Sequence, residues 1–144
     1  MANDERKLYH ENKMSYNLCL LFVSLSTLHA ILVLRKMTTN YTVGIFFITT
    51  IIVLMVGFLC AVKLMTYSIK YGYVAIILGF YQVFQIFTIP DVFQGSERLF
   101  MILVLIAAII SIVVSGVSSI VKTKQRTNYI NMINKKATGV INNG

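Results

Sequence analysis

The sequence predicts an all-α fold: an integral-membrane bundle of four transmembrane helices with the N- and C-termini both cytoplasmic. Three observations lead there. Of 144 residues, 57% are hydrophobic and only 12% are charged, where an ordinary soluble domain carries about 25% charged residues. The few charges are also segregated. No Asp, Glu, Lys, Arg or His lies between Val43 and Val62, between Tyr71 and Ile89, or between Leu99 and Val121, and the run Leu18–Leu34 holds only His29 and the thiol of Cys19 as ionisable groups. Finally, each run has the ~20 residues that a helix needs to cross ~30 Å of hydrocarbon. A soluble bundle would show a polar face on every helix, and these runs lack one.

The elements follow in order. Residues 1–16 form a polar segment of mixed charge, in which the spacing of Leu8, Tyr9, Asn12 and Tyr16 suits a short interfacial helix. The first span, 17–35, lacks a small-residue cleavage pattern behind it and reads as a retained signal-anchor. The second covers 43–65. The third covers 71–89 and stops at Pro90, the single proline, which has no N–H to give and restricts the residue before it. Ser96 and Glu97 suit the start of the fourth span, 99–121. The basic tail, 122–144, either continues that helix or lies on the membrane. The transmembrane domain is thus 17–121. The sequence Asn40–Tyr41–Thr42 matches a glycosylation sequon, of consequence only in a eukaryotic secretory membrane.

Charge sets the expected orientation. With the N-terminus cytoplasmic, the inner segments carry Arg6, Lys7, Lys13, Lys63, Lys70, Lys122, Lys124, Arg126, Lys135 and Lys136, and the outer loops only Arg35, Lys36 and Arg98. This is a strong positive-inside bias. It also accounts for the net charge of +8 without nucleic acid, which is not expected as a partner. Lys122, Lys124, Arg126, Lys135 and Lys136 are expected to meet anionic headgroups or cytoplasmic protein. The expected location is a cytoplasmic membrane of bacterial type.

Small and polar residues mark the faces that meet protein, because lipid tails are as apolar as leucine and apolar packing alone cannot drive helices together. In the fourth span Ala107, Ser111, Ser115 and Ser119 recur every four residues with Ser118 beside them, a seam spanning about 120° of arc. Gly57 and Ala61 share a face of the second span with Thr50, and Asn17 and Ser24 align weakly on the first. The third span divides. Ile76, Ile77, Phe80, Phe84 and Phe87 take one side; Ala75, Gly79, Tyr81, Gln82, Gln85 and Thr88 take the other. An amide without a partner in hydrocarbon costs several kcal/mol, so Gln82 and Gln85 are expected to find partners, with hydroxyls of the fourth span the nearest candidates.

The chemistry-bearing residues are sparse. Tyr81, Gln82, Gln85, Thr88 and His29 form a candidate polar lining, although the two amides serve equally as interhelical bonds and His29 as an interfacial side chain. Glutamine does not titrate and relays no protons. Cys19 and Cys60 read as buried thiols rather than as a disulfide or metal pair. No metal set, cofactor motif, phosphate loop or catalytic triad is present in the pattern of residues. The size is similar to that of small multidrug transporters, but the acidic residue of their first helix has no counterpart here, and an intramembrane carboxylate is the usual mark of ion coupling. The expectation is therefore not an enzyme. It is a small non-catalytic subunit of a larger membrane complex, a transporter or an energy-converting enzyme, held in the lipid bilayer beside other membrane subunits or copies of itself. The alternative is a small homo-oligomeric channel, facilitator or holin-like pore with an uncharged lining. A lipid- or polyprenyl-handling protein or a membrane-embedded regulator is a third course.

Overall fold

The computed structural model describes residues 11–37 and 41–141, with the side chains of 41–42 and 136–141 excepted. The interfacial positions Leu8 and Tyr9, the basic pair Arg6 and Lys7, Asn40 of the sequon, and the side chain of Lys136 lie outside the described residues. Four helices make the fold: α1 Lys13–Lys36, α2 Tyr41–Met65, α3 Ile69–Phe87 and α4 Gly95–Ile141. All four are long and apolar enough to cross a membrane, and the chain is that of a multi-pass membrane protein. They run up and down in the ring order α1–α2–α3–α4, with α2 and α3 the least intimate neighbours. The start of α1 and the projecting end of α4 are on one side.

Helix α1 begins four residues before the expected span. Asn12 caps it: its side-chain oxygen accepts from the Ser15 N–H at 3.4 Å, and its amide donates to Ser15 Oγ at 2.8 Å. The Asn12 N–H donates to the Met65 carbonyl at 3.1 Å, which ties the start of α1 to the end of α2. Arg35 and Lys36 occupy the last turn, where positive charge complements the helix dipole.

Helix α2 ends in a Schellman motif, with Tyr67 N–H donating to the Leu64 carbonyl and Ser68 N–H to the Lys63 carbonyl, both at 3.2 Å. The residue in the left-handed position is Tyr67, at φ 59°, where glycine would be usual. A side chain there costs roughly 1–2 kcal/mol, and α4 offsets it. Thr123 Oγ1 donates to the Tyr67 carbonyl at 3.3 Å, and the Arg126 guanidinium stacks over the Tyr67 ring at 5.0 Å.

Helix α3 meets α4 through its glycines. A Cβ on Gly72 would lie 2.6 Å from Ile120, one on Gly116 would lie 2.7 Å from the Gly72 carbonyl oxygen, and one on Gly79 would lie 2.6 Å from Val113. The two backbones touch at Gly72 and Gly116, and no other residue type fits. Beyond Pro90 the loop returns through Phe93, which is buried with Ile89, Val33, Met101 and Leu105.

Helix α4 has 47 residues, about 70 Å of helix, more than twice the hydrocarbon thickness. As far as Ile141 the tail thus continues the fourth span without a break. Beyond Arg126, Ile130, Met132 and Ile133 stand exposed, with Tyr129 half-buried between them and the bundle.

Candidate functional site

Polar side chains inside the spans gather at three levels. Nearest the termini, Ser115 of α4 donates to the Ser15 carbonyl of α1 at 2.7 Å and lies 3.3 Å from Cys19 Sγ, while Lys122 Nζ reaches Asn12 Oδ1 at 3.4 Å. Cys19 and Cys60 are both buried free thiols. This level joins α1 to α4. Of the predicted serine seam, Ser111, Ser115 and Ser119 are buried, Ser118 is half-buried and Ala107 is exposed. Ser111 donates to the Ala107 carbonyl at 2.9 Å, and Ser119 Oγ is buried without a partner. Ser111 and Ser115 thus bond within the chain, and Ser119 is buried inside it. Gly57 and Ala61 are buried too; a Cβ on Gly57 would lie 2.9 Å from Phe22 of α1.

At mid-depth Gln82 Nε2 donates to Ser26 Oγ at 2.8 Å. The partner comes from α1, across the bundle, and not from α4 as expected. Gln82 is 1% exposed and its Oε1 has no partner. The face of α1 also differs from the reading. Asn17 and Ser24 are exposed, with Ser24 donating to the Leu20 carbonyl at 3.0 Å, and the buried face is Ser15, Cys19, Phe22, Ser26, His29, Ala30 and Val33. Those positions recur by three and four, the period of a helix face, and Ser15 and Ser26 could have been found by it.

The third level lies towards the end of the bundle opposite the termini. A cavity of about 440 Å³ opens between α1, α2 and α3, within the ~300–1,000 Å³ typical of small-molecule sites. It is formed where α3 changes character. Its glycines sit early, and its later turns carry Tyr81, Phe84 and Gln85, which hold α2 away. His29, Tyr81, Gln85 and Thr88 of the predicted polar lining all border this cavity, and Gln82 does not. Gln85 Nε2 donates to the Tyr81 hydroxyl at 3.1 Å. The Thr88 hydroxyl donates to backbone carbonyls of Phe84 and Gln85, and Thr49, a lining residue the sequence reading missed, donates to the Ile45 carbonyl at 2.7 Å. Phe46 lies edge-on to His29 with ring centroids 6.3 Å apart. His29 is 5% exposed and its Nε2 has no partner. The remaining lining is apolar, and among the described residues no Lys, Arg, Asp or Glu borders the cavity. Ile45, Phe84 and Thr88 are exposed, so the mouth faces sideways, towards lipid.

A second hollow, about 630 Å³, sits at the rim between α1 and α4. Arg35, Lys36 and Glu97 line it, and Lys36 pairs with Glu97 and lies 5.5 Å over the Phe93 ring. Among the described residues no three His, Cys, Asp or Glu side chains converge as a metal site. Of the basic residues of the tail, Lys122 and Arg126 bind within the bundle as described, and Lys124 and Lys135 are exposed. The chain matches no protein-family model, no curated protein and no solved structure.

Proposed function

We propose that this protein is a small non-catalytic integral-membrane subunit that docks onto a larger membrane complex, a transporter or an energy-converting enzyme, with its termini in the cytoplasm. The observation that carries this reading is the arm of α4. From Thr127 to Ile141 the helix projects about 22 Å past the bundle. A helix of this length gains little stability in water by itself, and Ile130, Met132 and Ile133 are exposed on it beside Lys135. Such an arm gains by lying against another polypeptide. With the serine seam buried inside the chain, the aromatic side of α3 is one membrane surface open to a neighbour: Ile77, Phe80, Phe84 and Phe87 are all exposed. The pore reading has less support, because Gln82 is tied to Ser26 within one chain and the remaining polar lining faces a side cavity rather than a path from end to end.

Shortening the chain after Arg126 tests the reading. The shortened protein is expected to keep its thermal midpoint within a few degrees while losing the polypeptides that co-purify with the full chain in mild detergent. If the full chain and the shortened chain both run alone as the same closed ring, the subunit reading fails.

A further inference from the structure

We propose that the side cavity between α1, α2 and α3 binds a neutral, lipid-like molecule that presents a carbonyl oxygen. This goes beyond the docking role and does not depend on it.

The class of ligand follows from the lining. Among the described residues the cavity borders no charged side chain, so a phosphate headgroup would enter without a counter-charge and would lose its hydration for nothing in return. The body of the cavity is apolar and aromatic, with Ile45, Phe46 and Phe84 on its walls, and its mouth faces lipid. An entrant therefore comes from the bilayer and keeps its apolar part against side chains and acyl tails. Two groups on the walls stand ready to donate a hydrogen bond to a head. The Tyr81 hydroxyl accepts from Gln85, which leaves its own proton free for a further acceptor. The hydroxyls of Thr49 and Thr88 already donate to backbone carbonyls. His29 Nε2 is buried on the same cavity with no partner, and a buried polar atom left unpaired is a rare and costly feature. Its N–H tautomer supplies a second donor. Two donors and an apolar enclosure fit a carbonyl group on an uncharged body. Gln85 is a positioning residue, since its amide fixes the direction of the Tyr81 hydroxyl.

That chemistry occurs in two membrane sources, a ring carbonyl on an isoprenoid quinone and an ester carbonyl on a diacylglycerol. The test uses the full chain in nanodiscs, loaded in turn with a short-tailed benzoquinone, dioleoylglycerol or phosphatidylglycerol, with bound adducts counted by native mass spectrometry. One saturable adduct per chain is expected with the quinone or with the diacylglycerol, and whichever binds identifies the source. Tyr81→Phe is expected to weaken that adduct about five- to tenfold, the worth of one buried hydrogen bond. His29→Leu is expected to weaken it as much while leaving the thermal midpoint unchanged or higher, because an unpaired atom is removed. Ile45→Trp, placed at the exposed rim where folding tolerates it, is expected to abolish the adduct by filling the mouth. Equal adducts in all three variants would overturn the proposal. So would phosphatidylglycerol binding as tightly as the neutral lipids, or the absence of any saturable adduct.

Discussion

The end of the bundle that carries the termini and the end opposite it are made from much the same residues, yet only one of them is closed. At the termini end every helix is tied to a neighbour. Asn12 bonds Met65, Ser115 bonds Ser15, Thr123 bonds the Tyr67 carbonyl, and α3 and α4 touch backbone to backbone at Gly72 and Gly116. At the opposite end α1 and α4 still meet, through Val33, Met101 and Leu105 and the Lys36–Glu97 pair. There α2 and α3 stand apart around a cavity, and His29 Nε2 is left without a hydrogen-bond partner. The difference lies in where α3 keeps its small residues. Gly72, Ala75 and Gly79 sit in its first half and let it press against α4. Tyr81, Phe84 and Gln85 follow in its second half and hold it off α2. In lipid, where apolar area gives little net drive, the position of small residues and interhelical bonds decides which interfaces close. The closed end supports the arm of α4, and the open end supplies the cavity.

Four substitutions would break or sharpen this contrast, in descending order of effect. Gly116→Leu drives a side chain into the Gly72 carbonyl oxygen, a backbone atom that cannot swing aside, with Ile76 and Ala75 close by. We expect a loss of about 3 kcal/mol or more, seen as little folded protein after purification; a wild-type melting curve would remove the tight α3–α4 crossing from the account. Ser115→Ala takes away the bond to the Ser15 carbonyl and the contact with Cys19. Its expected cost is about 1–2 kcal/mol, read from the thermal midpoint. Arg126→Ala unstacks the Tyr67 ring and exposes a strained turn, for about 0.5–1 kcal/mol. Amide exchange at Tyr67 and Ser68 should speed up while the far end stays unchanged. His29→Leu, at the open end, should cost nothing or stabilise slightly, because it exchanges an unpaired buried nitrogen for a methyl group. A marked loss of stability there would mean that His29 holds the bundle together, and the contrast between the two ends would weaken.

Much of this arrangement is legible in the residues. Four uncharged runs imply four long apolar helices, and the phenylalanines of α3 stand where their spacing puts them, on the outer side. The amides of α3 turn inward for the same reason. The partner of Gln82 was not legible, because periodicity gives the face of each helix and not which faces meet. The serines of α4 looked like the nearest hydroxyls in sequence, while Ser26 is nearer in space. On α1 the alignment of Asn17 with Ser24 drew attention to an exposed side, because two polar residues seven apart are a weaker guide than the full three-and-four recurrence of Ser15, Cys19, Phe22 and Ser26. The cavity was half visible. His29, Tyr81, Gln85 and Thr88 were grouped from their polarity, but Thr49 was not, since its hydroxyl is one among many in α2. The end of the fourth span was placed at the first lysine, since charge marks where hydrocarbon stops. The helix itself runs on, one of the two courses read for the tail, because no glycine or proline stop follows before Gly139, and Lys122 to Arg126 bond back to the bundle.

The most direct measurement is the mass and composition of the particle drawn from its native membrane in mild detergent, by native mass spectrometry. The account predicts other polypeptides in fixed ratio to this chain, with photo-crosslinks from positions 130 and 133 of the arm leading to one of them. A particle made of this chain alone, in a closed ring and with no crosslink from the arm to another protein, would contradict it.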